Sequence, residues 1–202
     1  MKKIGLIFLT VALIALTSCK DNRNQSENQN NPAITQPEED LELERDRDKE
    51  DDKKTRTVNM VSKSNSKVTG EVRFTEEKGK VRMEAKFSGL NPGGTHAIHL
   101  HENGDCSSDD AMSAGGHWNP TNDRHGKWED SEGYHRGDIG NLKADQDGKA
   151  TLSFETDQWC IDCNDDQRNI IGKSVIVHED ADDFESQPTG DAGGRISCGE
   201  IK

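Results

Sequence analysis

The chain has 202 residues, of which 29% are hydrophobic and 4% aromatic, and its 39 acidic against 26 basic residues give a net charge of -13. So thin an apolar supply excludes a large all-helical or multispan membrane protein. The missing basic surplus argues against nucleic acid as a partner, because nothing could displace counterions from a phosphate backbone. An anionic substrate would have to be attracted locally.

At the N-terminus, Lys2 and Lys3 precede an apolar run from Ile4 to Leu16. At 1.5 Å per residue this run spans about 20 Å, short of the roughly 30 Å hydrocarbon core, so residues 1–18 read as an export signal. Leu16-Thr17-Ser18-Cys19 resembles a bacterial lipobox, which implies that Cys19 is acylated and becomes the mature N-terminus. The expected location is therefore the bacterial cell envelope, periplasmic or surface, with membrane contact through the N-terminal lipid only. An ordinary cleaved signal with an incidental cysteine is the alternative. From Lys20 to Arg56 there are 12 acidic and 8 basic residues and no aromatic one, so this stretch cannot offset its ordering entropy by burial. Residues 19–56 read as the acylated cysteine followed by a disordered, charged tether.

From Thr57 onward the pattern is that of strands. Val68, Gly70, Val72 and Phe74 alternate with polar residues, as do Val81, Met83, Ala85 and Phe87 after a turn at Lys78 and Gly79. Further strands are expected at His96–His101, Ile139–Ala144, Ala150–Thr156, Ser174–His178 and Arg195–Ile201, divided by turn sequences such as Asn91-Pro92-Gly93-Gly94 and Asp147-Gly148. No stretch has a helical period. Residues 57–202 are therefore expected to form an all-β sandwich or flattened Greek-key barrel with two long loops, 102–137 and 179–194. Loops of that length in a compact domain are usually functional.

All seven histidines lie in this region. Strand alternation puts His99 and His101 on one face, about 7 Å apart and able to close on one metal, and turns Ile98 and Leu100 to the core. His96 has core parity, which suits a hydrogen-bonded structural role. His117, His125, His135 and His178 sit in or beside the long loops, and Asp138 adds a carboxylate three residues after His135. Three imidazoles with one carboxylate suit zinc, whereas an all-imidazole set suits copper.

The segments His96 to Asp105, Ser113 to Pro120, Gly137 to Asn141, Val177 to Asp183 and Gly190 to Arg195 resemble the copper/zinc superoxide dismutase family, and the likeness covers essentially all of 57–202. It implies an eight-stranded, immunoglobulin-like Greek-key fold, superoxide as substrate, and copper and zinc ions as cofactors. His99, His101, His117 and His178 are the implied copper ligands, and His117, His125, His135 and Asp138 the implied zinc ligands, with His117 shared. Arg195 is implied to hold the anion beside copper, with Asp182 linking His99 to His125. Cys106 and Cys198 are implied to form the disulfide. Pro188 stands where many familiar eukaryotic members of the family carry a steering lysine. Because the family associates through different surfaces in different lineages, the resemblance leaves a homodimer open. Cys160 and Cys163 fall outside the family pattern; a C-x-x-C can be a redox motif or half a zinc site, but without a βαβ context or a second pair this one reads as a local disulfide stapling an exposed loop. The reading from another function class is an envelope module that binds copper or zinc without turnover.

Overall fold

The computed structural model describes residues 53–202. The export signal, Cys19 and nearly all of the tether lie outside the described residues. Eight strands follow in order: β1 Lys54–Ser62, β2 Thr69–Glu77, β3 Lys80–Ser88, β4 Thr95–His101, β5 Asp138–Lys143, β6 Ala150–Thr156, β7 Ser174–His178 and β8 Arg195–Glu200. Among the described residues the only helical element is a single 3-10 turn at Met112–Ala114. The five strands expected from His96 onward appear within a residue of their bounds, β2 and β3 run on past their alternating residues to Glu77 and Ser88, and the loops 102–137 and 179–194 run between β4 and β5 and between β7 and β8. Sequence reading did not single out β1, whose first residues share the charge pattern of the tether.

All pairings between these strands are antiparallel, in the order β5-β4-β7-β8-β1-β2-β3-β6, so the sheet forms a nearly closed barrel. Alternation decides what lies inside. Along β3, Val81, Met83, Ala85 and Phe87 are buried while the residues between them are exposed, and β2 contributes Val72 and Phe74 on the same side. Ile98 and Leu100 join this core from β4, with Val175 and Val177 from β7. Burying such a set removes roughly 2 kcal/mol of apolar hydration cost per large side chain, which opposes the entropy of ordering the loops.

The segment between β6 and β7 departs from expectation. Cys160 and Cys163 are joined, as read from the sequence, yet Cys160 is buried. Trp159, Ile161 and Ile170 are also in the core, and only the stretch from Asp162 to Gln167 is largely at the surface. Their isolated apolar side chains plug the barrel beside Phe74, whose ring lies 6.1 Å from that of Trp159. The Trp159 indole donates to the Arg136 carbonyl at 2.8 Å, tying this plug to the histidine-bearing loop.

Candidate metal centre

Backbone pins bring the long loop back onto β4. The Trp118 amide donates to the Leu100 carbonyl, the Leu100 amide to the Gly137 carbonyl, and the Gly137 amide to the Trp118 carbonyl, at 2.8, 2.9 and 3.0 Å. His117 thereby pairs with His101 across an isolated antiparallel bridge, and Asp138 comes opposite His99. From the next strand, His178 is the register partner of Arg195. Histidines up to 79 positions apart in the chain thus converge because three strand ends and two loop segments share one rim of the sheet.

Two clusters result: His99, His101, His117 and His178, and His117, His125, His135 and Asp138. Within each, the potential ligand atoms lie within 4.8 Å of one another, and every member is buried. His117 belongs to both. Its Nδ1 lies 2.9 Å from Asp138 Oδ1, while its Nε2 is buried with no hydrogen-bond partner.

The donor atoms test whether these clusters suit metals. His99 Nε2 donates to Asp182 Oδ2 at 2.8 Å, leaving its Nδ1 buried and without a partner. His101 Nδ1 donates to the Gly115 carbonyl at 3.0 Å and His178 Nδ1 to the Gly193 carbonyl at 3.4 Å. Their Nε2 lone pairs then face each other at 3.3 Å, an arrangement that calls for a cation between them. His125 Nδ1 and His135 Nδ1 lie 3.0 and 3.2 Å from Asp138 oxygens, yet both are without a well-directed hydrogen bond. Such spacings match the roughly 3.3 Å edges of a tetrahedron with bonds of about 2.0 Å, so the residues fit zinc in one cluster and copper in the other.

Electrostatics keep His101, His117 and His178 neutral and ready for ligation, whereas His125 carries a proton that a bound ion must displace. Burial, then the neighbouring imidazoles, push His101 and His178 well below the usual histidine range, which keeps their rings neutral. His117 falls to about 4, chiefly through burial and then through His99. Burial also opposes charge on His125, but the carboxylates of Asp138 and Asp182 outweigh it and raise that ring to about 9. Against the cost of its own burial, Asp138 is held well below the usual carboxylate range by His117, His125 and His135, and Asp182 likewise by His125 and His99.

Around these clusters, Asp182 accepts from His99 Nε2 at 2.8 Å and from His125 Nε2 at 2.9 Å, linking a member of one set to a member of the other. Both rings are thereby held with Nδ1 directed inward. His96 is buried and its Nδ1 donates to the His178 carbonyl at 3.0 Å. Half-buried Arg195 donates from Nη1 to the Ala111 carbonyl at 2.8 Å and from Nη2 to the Gly115 carbonyl at 2.7 Å. Burial draws its pKa down and Asp110 opposes the drop, but a guanidinium stays charged. The Cys106–Cys198 disulfide ties the loop carrying those two carbonyls to β8.

Sequence reading passed over Glu102, whose carboxylate accepts the Gly116 amide at 3.0 Å, and Lys63, which donates to the carbonyls of Cys106 and Ser108 at 2.5 and 2.8 Å. Neither has a signal in the sequence, since single charges at loop ends usually face solvent.

Comparison with known proteins places these clusters in a wider set. The model of the copper/zinc superoxide dismutase family matches residues 68–201. A superoxide dismutase [Cu-Zn] of Paramecium bursaria Chlorella virus 1 is 40% identical over 153 residues, covering 73% of this chain and 79% of that protein. Superoxide dismutase [Cu-Zn] A of Xenopus laevis is 40% identical over 141 residues, covering 66% and 89%. An extracellular superoxide dismutase [Cu-Zn] of Brugia pahangi is 35% identical over 158 residues, covering 73% and 76%. Among solved structures, a SOD-like protein from Bacillus subtilis superposes with a TM-score of 0.65 at 31% identity, over 72% of this chain and 97% of its own.

Proposed function

The chain belongs to the copper/zinc superoxide dismutase family, and on that premise we propose that His99, His101, His117 and His178 hold copper while His117, His125, His135 and Asp138 hold zinc. Its reaction turns two superoxide ions and two protons into dioxygen and hydrogen peroxide. Copper, alternating between Cu(II) and Cu(I), supplies the one-electron chemistry, while zinc supplies a fixed charge without redox change.

The chain's own residues do the rest. Arg195 presents a cation whose charge acts on His101 and His178, so an anion reaching that cluster meets a guanidinium already aimed by two backbone carbonyls. His117 is fixed from the Asp138 side, so its Nε2 can take or release a proton while the ring keeps its position. Asp182 holds His99 and His125 in one tautomer throughout. A module that only stored metal would need the two clusters but not Arg195 beside them.

The observation that carries this reading is the membership of His117 in both clusters. Loading the purified protein with both ions should give one copper and one zinc per chain together with dismutase activity. His117→Ala should lower turnover at least about tenfold and make the two metals bind independently. Unchanged turnover with both metals fully bound would contradict the shared ligand.

Residues 1–18 are, in the same reading, an export signal, with Cys19 acylated and 19–56 a tether between lipid and enzyme. The lipobox-like run supports this, as do two disulfides suited to an oxidising exported setting. Cys19→Ala should move the protein from the membrane fraction to the soluble one; continued membrane retention would refute the anchor.

A further inference from the structure

We propose that Glu102 is a positioning residue that aims Arg195 and His101 through a single peptide group, the one joining Gly115 to Gly116. The inference rests on the reading of Arg195 as the anion-docking residue. One pole of that peptide, the Gly115 carbonyl, accepts from Arg195 Nη2 at 2.7 Å and from His101 Nδ1 at 3.0 Å. The other pole, the Gly116 amide, donates to Glu102 Oε1 at 3.0 Å. The Gly116 carbonyl in turn accepts the Glu102 amide at 3.0 Å, so Glu102 grips the residue before His117 with both main chain and side chain.

A trans peptide is planar, with its N–H and C=O pointing in opposite directions. Fixing the N–H therefore fixes the direction of the carbonyl that two site residues share. A carboxylate on the N–H also polarises the group and makes its carbonyl a stronger acceptor. Gly115 is shaped for this contact: it has φ +74°, and a Cβ there would lie 2.4 Å from Glu102 Oε1 and 2.7 Å from Asn103 Nδ2. Glu102 is itself exposed, so replacing it leaves no buried gap.

Charge and position predict opposite signs, which makes the test decisive. Removing a negative charge near the site should by itself strengthen anion binding, whereas losing the grip on Arg195 should weaken it. Azide, a small monoanion, is titrated into the copper- and zinc-loaded protein and followed by visible absorption. Glu102→Ala should weaken azide binding about three- to tenfold, the range that one hydrogen bond commands. Glu102→Gln keeps an acceptor oxygen while removing the charge and should bind azide at least as tightly as the wild type, while Gly116→Pro, which removes the donor, should reproduce the loss. In an Arg195→Ala background, Glu102→Ala should add nothing. Wild-type or tighter affinity in both Glu102→Ala and Gly116→Pro overturns the inference, as does failure of Glu102→Gln to restore binding. If Arg195→Ala itself binds azide normally, the docking reading fails and this inference with it.

Discussion

At the scale of single residues, the centre depends on side chains that never touch substrate. Asp182 accepts one imidazole on each carboxylate oxygen, and the backbone amide of Phe184 also donates to Oδ1 at 2.7 Å. An amide in its place offers one acceptor oxygen, so Asp182→Asn should release either His99 or His125 and lower zinc affinity about 10- to 100-fold, read by competition with a chelator. Gly190→Ala should act in the same direction. Gly190 has φ +69°, and a Cβ there would fall 2.0 Å from Asp182 Oδ1 and 2.6 Å from His125 Nε2. Wild-type zinc affinity in both variants would show that the carboxylate is dispensable. The histidines were legible because seven of them crowd one region and two alternate along a strand. Which histidine joins which cluster was legible only through resemblance, because convergence of His99, His117 and His178 depends on long-range register that no local pattern encodes.

Secondary structure was read well where one face is wet, as in β2 and β3, because alternation with period two survives there. It was read less well in β1, which begins at Lys54 among residues patterned like the tether, and in the plug, where Trp159, Ile161 and Ile170 sit among polar neighbours. At this scale the Cys106–Cys198 bond matters most. It closes a loop of 92 residues, for which the chain-entropy model gives roughly 4.6 kcal/mol of stabilisation. The same loop is anchored by Lys63 on the Cys106 and Ser108 carbonyls, and it carries the carbonyls that hold Arg195. Replacing both cysteines by serine should therefore lower the calorimetric unfolding temperature of the metal-free protein and weaken azide binding in the loaded one. A lower unfolding temperature with unchanged azide affinity would mean that Lys63 and the packing of Ala111 and Ala114 suffice to hold the loop.

On the scale of the whole molecule, charge works against the reaction. Residues 57–202 hold 27 acidic and 16 basic side chains, and the substrate is an anion. At about 0.01 M ionic strength the Debye length is roughly 30 Å, so an approaching superoxide feels nearly all of those charges at once, and their acidic excess makes the sum repulsive. At about 0.1 M it shrinks to roughly 10 Å, and only the surroundings of Arg195 are felt on the last approach. Pro188 supplies no cation at its place in the loop before Arg195, so Arg195 and the bound metals must draw in the substrate with little long-range help. Raising salt from about 0.01 to 0.1 M should therefore increase kcat/KM, measured by pulse radiolysis, because screening removes more repulsion than attraction. A cationic funnel would give the opposite slope. If kcat/KM falls over that range, the field at the site entrance is positive despite the net charge, and guidance must come from basic side chains beyond Arg195.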